Sequence, residues 1–261
     1  MIQGVSENLV SALSPMLCVA PPPESQSVQQ KSYVTYHPSQ LSARHGINPS
    51  ITLLESRWLI ASGGTTGLRT WEAALHLGQY LCLNEHIVNG KHVIELGAGT
   101  GYLSILCAKH LGAASVIASD GSDEVVNNLA DGFFLNGLQG SSAIAPMHLK
   151  WGSALVGTED SRWNGGRPLH LVVGADIIYD VRVIPALVGT LMELSSLHPG
   201  IEIIICATQR KLDTLEVFVR QCASAGYQVQ DVNFAAIQQE EQQGPFYNTS
   251  VPISIIRCTP K

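Results

Sequence analysis

A chain of 261 residues, 45% hydrophobic and only 14% charged, can bury a sizeable core, which excludes a disordered adaptor. Its formal net charge of −6, with no Lys/Arg block, argues against direct nucleic-acid binding and gives a basic substrate a mildly favourable field. There is no apolar run of about 18 residues to span a membrane, and the six scattered cysteines lack any C-x-x-C pair, as expected of reduced thiols in the cytoplasm.

Residues 1–45 read as a flexible N-terminal arm: a short helical piece to Val19, a Pro21-Pro22-Pro23 linker rich in Ser and Gln, and a candidate edge strand at Tyr33–Tyr36. Residues 46–261 are expected to form the folded domain. Alternation over Ile51–Ser62 predicts a pair of short strands or a bent hairpin. A Gly/Thr loop (Gly63–Gly67) follows, and Thr70 is placed as the N-cap of a helix running to about Leu83, with Glu72 in its first turn. From Lys91 onward, strands and helices alternate. Strands are expected at His92–Leu96, Ser115–Ser119, Ala143–Leu149, Leu169–Ala175, Ile201–Ala207, Gln228–Phe234 and Val251–Cys258. Leu169–Ala175 is a continuous apolar run, suited to a centre strand buried on both faces. Helices fill the gaps until the last two strands, which are joined by a Gln/Glu-rich loop alone. The expected fold class is α/β: a doubly wound, seven-stranded, mostly parallel sheet with an antiparallel last strand.

The chemistry centres on Glu95-Leu96-Gly97-Ala98-Gly99-Thr100-Gly101, a strand end, a glycine turn and the start of a helix. Alternating glycines leave the backbone bare where a ligand can lie against it, and the first amides of the helix are unpaired donors. The dinucleotide fingerprint G-x-G-x-x-G fails, because Tyr102 stands where the third glycine belongs. No Lys-Ser/Thr pair follows the loop, so it is not a phosphate loop of the nucleoside-triphosphatase kind. Glu95 can hold the loop's own amides or a water beside the cofactor's amino-acid end, and Asp120, ending the next strand, can accept both ribose hydroxyls. The G-x-G-x-G turn with Glu95 favours S-adenosylmethionine. No hydride-transfer pair such as Tyr-x-x-x-Lys supports a nicotinamide-linked oxidoreductase, and no H-x-x-x-H pair supports a metal site.

The strand and glycine turn from Glu95 to Gly101 resemble motif I of the seven-β-strand, class I (Rossmann-like) methyltransferases. With Trp71, Asp120, Trp151 and Ala175-Asp176-Ile177-Ile178-Tyr179, the chain is similar to their lysine methyltransferase branch, whose D-x-x-Y motif Asp176 and Tyr179 match. Thr65–Leu75 further resembles the eukaryotic elongation factor 2 lysine methyltransferases, although the short arm departs from that group's longer N-terminal extension. The resemblance covers about Ile51 to Cys258 and implies a transferase that methylates a lysine of a protein partner, elongation factor 2 foremost. Methylation of another protein such as a chaperone is the neighbouring alternative, and a non-catalytic binding module the more distant one. It also implies cofactor contacts from Trp71, Gly97, Ala98, Gly99, Asp120, Trp151 and Ala175, to which the residue reading adds Glu95. Asp176 or Tyr179 would align the lysine amine, Asp180 would cap a helix, and Arg69 is either part of a lid or of a plain surface loop. Trp58 and Trp163 carry no functional argument.

Overall fold

A computed structural model describes residues 7–17, 31–46, 48–56, 66–155, 166–210 and 212–261. Trp58, Trp163, Cys18 and most of the expected Gly/Thr loop lie outside these residues. In chain order the regular elements are α1 (Glu7–Leu17), β1 (Ser32–Tyr36), α2 (Ser39–His45), β2 (Ile51–Glu55), α3 (Glu72–Leu83), β3 (His92–Leu96), α4 (Tyr102–Lys109), β4 (Ser115–Asp120) and α5 (Asp123–Leu135). They continue with β5 (Ile144–His148), β6 (Leu171–Ala175), α6 (Ile184–Leu197), β7 (Glu202–Thr208), α7 (Leu212–Ser224), β8 (Tyr227–Val232) and β9 (Ile253–Pro260).

The main sheet has seven strands in the order β5-β4-β3-β6-β7-β9-β8. All neighbours from β5 to β7 are parallel, and β9 runs antiparallel to both β7 and β8, the arrangement expected from the sequence. β6 is the fully flanked strand that its apolar run predicts, with Leu171, Val172 and Val173 all at 0% exposure. One face of the sheet packs against α3 and α4, together with Leu129 and Phe133 of α5. The other packs against Ile184, Leu187, Leu191 and Leu194 of α6 and Phe218 and Cys222 of α7. The chain winds one way from β3 to β4 and the other way from β6 to β7. A crevice therefore opens at the carboxyl ends of β3 and β6, where ligands of doubly wound sheets bind.

The described parts of the stretch expected as a mobile arm hold regular structure. β1 pairs antiparallel with β2, from Ser32 opposite Glu55 to Tyr36 opposite Ile51. The partner of β2 is therefore the candidate edge strand upstream, and not a second strand within Ile51–Ser62. α2 follows, with Leu41 fully buried and Ser39 donating from its backbone N and Oγ to the carbonyl of Gly244, 3.2 and 2.5 Å away. Asn136, just past α5, holds β2 like a further strand: its Oδ1 accepts from Thr52 N at 3.1 Å and its Nδ2 donates to Thr52 O at 2.8 Å.

Two helix caps depart from expectation. α3 begins with Trp71 at its N-cap and no side-chain cap bond, because the Thr70 hydroxyl is drawn instead to the buried carboxylate of Glu55 at 2.6 Å. Asp180 caps no helix: it accepts from Arg182 N at 2.9 Å in the turn before α6, which itself takes Pro185 in its first turn. α5 starts as its sequence prescribes, with Ser122 as N-cap and Asp123 and Glu124 in the first turn.

Candidate active site

The strand β3 ends in a turn whose alternate residues Gly97, Gly99 and Gly101 have φ of 67°, 53° and 81°, all in the left-handed region that penalises a side chain. A Cβ on Gly97 would also sit 2.6 Å from Cγ2 of Ile177. Gly97→Ala is therefore expected to destabilise the fold by about 1–3 kcal/mol, read as a lowered denaturation midpoint, and to weaken cofactor binding. The loop is fixed at its back by backbone bonds: Ala98 N donates to Ser119 O at 2.8 Å and Gly101 N to Ala98 O at 2.8 Å.

Around this turn lies a cavity of about 440 Å³. Every residue singled out from the sequence lines it: Trp71, Glu95, Gly97, Ala98, Gly99, Asp120, Trp151, Ala175, Asp176 and Tyr179. Residues more than 100 positions apart thus converge on one space of the size that small-molecule sites occupy.

Asp120 ends β4 at the cavity wall. Its Oδ2 accepts from Gly99 N at 3.2 Å and its Oδ1 from Ser122 N at 3.0 Å, so one carboxylate orients both the glycine turn and the start of α5. Each oxygen keeps a lone pair for a hydroxyl. Burial pushes its carboxyl up, against the pull of those amide bonds. Trp151 lies beside Gly97, where the absent Cβ would approach its ring to 3.5 Å.

Glu95 does not hold the glycine turn's own amides as expected. It is buried, and its Oε2 accepts from both the backbone N (2.9 Å) and the hydroxyl of Ser104 in α4, not from the glycine turn itself. Burial raises its pKa to about 8, only partly offset by the Ser104 bonds. Between about pH 4.5 and pH 8 the folded chain holds a proton that the unfolded chain has released, so the stability owed to this group falls as pH rises through that window. Glu95→Gln keeps an acceptor for Ser104 and cannot titrate. Its urea midpoint should lose that part of the downward slope between pH 5 and pH 8, and an identical slope in both proteins would refute the protonated carboxyl.

Asp176 follows β6 with φ of 53°, the one non-glycine residue at positive φ among those described. Its Oδ1 accepts from Thr208 N at 2.8 Å and its Oδ2 from Thr208 Oγ1 at 3.1 Å, while its own N donates to Cys206 O at 2.9 Å. Strain at such a position is kept where neighbours over-determine it, as the end of β7 does here. Tyr179, three residues on, is 55% exposed at the rim, and burial together with Asp120 and Asp180 pushes its phenol up.

Trp71 donates its indole N–H to Thr66 O at 2.9 Å, and two guanidiniums lie within 5 Å of its ring, Arg69 at 4.4 Å and Arg210 at 4.9 Å from the centroid. Both also engage Glu72: Arg69 Nη2 reaches Oε1 at 3.4 Å and Arg210 Nη2 reaches Oε2 at 2.7 Å. Arg210 Nη1 is 3.5 Å from Asp176 Oδ2. Arg69 thus belongs to the cavity wall. The sequence reading missed Arg210 and the Glu72 carboxylate that joins it to Arg69. Arg210 stands two residues past β7 with no motif around it, and only the β6–β7 register brings it to Asp176.

The sheet order, the glycine turn at the switch point, the acid ending β4 and the turn after β6 together define a class I methyltransferase. A family model described as lysine methyltransferase matches residues 59–225. The protein-lysine N-methyltransferase EFM3 of Chaetomium thermophilum is 54% identical across 97% of this chain and 75% of its own length. The human protein-lysine N-methyltransferase EEF2KMT is 30% identical across 77% of this chain, which spans 62% of that relative. Among solved structures, an S-adenosylmethionine-dependent methyltransferase from Agrobacterium tumefaciens shares the fold with a TM-score of 0.53 over 81% of this chain and 68% of its own, at 14% identity. The chain belongs to the lysine methyltransferase family: it is a protein-lysine N-methyltransferase with S-adenosylmethionine as its methyl donor. The cavity suits that donor, since a half-buried carboxylate with spare lone pairs, an aromatic ring and a bare glycine backbone all line it. None of the described helices is long and apolar enough to cross a membrane, and the described residues hold no cluster that could bind a metal ion.

Proposed function

We propose that the cavity between the glycine turn and the Asp176 turn is the catalytic centre, and that its substrate is a lysine of elongation factor 2. The observation that carries this reading is the juxtaposition of Asp120 with Asp176 and Tyr179 around one cavity, an acid for the ribose diol sharing a chamber with the D-x-x-Y pair. Asp120 takes the diol, Trp71, Trp151 and Ala175 frame the cofactor, and the turn Gly97-Ala98-Gly99 lies against it with Glu95 bracing α4 beneath. The choice of elongation factor 2 rests on the resemblance of Thr65–Leu75 and on the names of the relatives, EEF2KMT among them. In this reading the enzyme works in the cytoplasm, in keeping with scattered cysteines that form no C-x-x-C pair.

S-adenosylmethionine, when bound, supplies an electrophilic methyl carbon on a sulfonium. The attacking lysine must be neutral, and with an ordinary pKa of about 10.4 this costs about 4 kcal/mol near pH 7.4. The half-closed chamber offsets part of the cost by desolvation, and the guanidiniums of Arg69 and Arg210 at the Trp71 wall disfavour a third cation beside them. The Asp176 carboxylate, tied to Thr208 and beside Arg210, is not assigned as a general base. Its remaining lone pairs and the Tyr179 hydroxyl orient the amine N–H groups, so the rate gain comes from positioning. The test is transfer of tritiated methyl from S-adenosylmethionine into a lysate lacking the enzyme, with mass spectrometry of the labelled band. Label on a lysine of elongation factor 2 is expected. Label on a chaperone instead would overturn the substrate, and label confined to RNA or small molecules would overturn protein methylation.

A further inference from the structure

Four side chains from four separate segments make one hydrogen-bonded chain behind the glycine turn. Glu55, at the end of β2, is 1% exposed, and its Oε1 accepts from Tyr36 Oη of β1 at 3.0 Å and from Thr70 Oγ1 at 2.6 Å. The Thr70 hydroxyl, 7% exposed, lies 2.7 Å from Thr100 Oγ1 within the glycine turn. A hydroxyl has one proton. Since Thr70 spends its proton on Glu55, Thr100 must donate to Thr70, and the chain has a single direction ending on the carboxylate. Three further contacts tie the same hairpin to the same turn. The Tyr36 ring meets Tyr102, the first residue of α4, edge-on with centroids 5.3 Å apart. Ser56 N donates to Leu68 O at 2.9 Å, which holds the segment before α3 to the end of β2. That segment lies directly on the turn, where a Cβ on Gly99 would approach the carbonyl oxygen of Gly67 to 3.4 Å.

We propose that the β1–β2 hairpin is a positioning element of the cofactor site, acting through Glu55 and Thr70 on Thr100 to hold the Gly97–Gly101 turn in its binding shape. Glu55 does not line the cavity, whereas Thr70 and Thr100 do, so the carboxylate acts on the cofactor at one remove. The left-handed turn has little intrinsic stability of its own, and the buried carboxylate supplies the fixed acceptor that orders it. The hairpin, encoded upstream of the glycine motif, thereby sets cofactor affinity without touching the cofactor. The inference rests on the reading of the cavity as the S-adenosylmethionine site.

The experiment is calorimetric titration of S-adenosylhomocysteine into the full chain, with thermal midpoints measured alongside. Thr100→Val, isosteric and lacking the hydroxyl, is expected to weaken binding about three- to tenfold. The loss should fall on the cofactor, as a raised KM for S-adenosylmethionine, while the KM for the protein substrate should hold. Thr100→Ser, which restores the donor, is expected to recover most of the affinity. Glu55→Ala should weaken binding comparably, and the Thr100→Val/Glu55→Ala pair should lose less than the two losses combined, since each breaks the same chain. Full additivity, or equal weakening by Thr100→Ser and Thr100→Val, would overturn the relay. Wild-type affinity in Thr100→Val beside lost affinity in Asp120→Ala would overturn it too, while leaving the cavity assignment intact. Wild-type affinity in both would overturn the cavity assignment itself.

Discussion

Replacing Asp176 by alanine is expected to lower kcat on the order of a hundredfold while leaving the affinity for S-adenosylhomocysteine unchanged. The side chain holds the turn after β6 to the end of β7 through Thr208 N and Oγ1, at a φ of 53° where few non-glycine residues settle. Losing it frees the turn that carries Tyr179, and a displacement of about 1 Å at a reacting centre is enough for a loss of that size. The glycine turn and Asp120 keep their own bonds, which is why cofactor binding should survive. Asp176→Asn sharpens the test. Asparagine tolerates the left-handed conformation and still accepts from Thr208 N, so the fold is expected to hold. A slow but stable asparagine variant would assign the effect to the carboxylate's hold on the amine. Full methylation by the alanine protein with cofactor still bound would refute a catalytic part for Asp176.

Asp120→Ala is expected to act on the opposite ligand, weakening S-adenosylhomocysteine on the order of a hundredfold. Two charge-assisted hydrogen bonds to a diol, at about 1.5 kcal/mol or more each, account for a loss of that order. The same carboxylate binds Gly99 N and Ser122 N, so part of the loss comes from a loosened glycine turn and α5 start. Asp120→Asn separates the two, because the amide oxygen can still accept one backbone bond but no longer offers charge to the ribose. Unaltered affinity in the alanine variant, measured by calorimetry, would place the cofactor elsewhere.

These outcomes turn on residues that differed in how readily the sequence exposed them. Gly97, Gly99 and Gly101 were readable at once, because a left-handed backbone leaves a compositional mark that no packing can hide. Asp120 and Asp176 were readable from their place at the carboxyl ends of strands, since the doubly wound topology puts all such ends at one edge. The role of Glu95 was only half readable. Its position marked it, but the choice between glycine turn, water and helix depended on Ser104, nine residues away and one α4 turn deep.

By itself, the sequence determined the seven-stranded sheet, its antiparallel last strand and the glycine turn through local pattern and strand-end position, and that turn with Glu95 favoured the methyl donor; the family came through the resemblance of its motifs to the lysine methyltransferases. Only the tertiary structure decided that β1 leaves the expected arm to pair with β2, that Thr70 abandons its cap for Glu55, and that Arg210 joins Glu72, Trp71 and Asp176. The physical reason is the same in each case. A side chain's partner is chosen by the cheapest way to satisfy a buried polar group, and that choice is set by register and packing between segments whose spacing along the chain carries no trace of it.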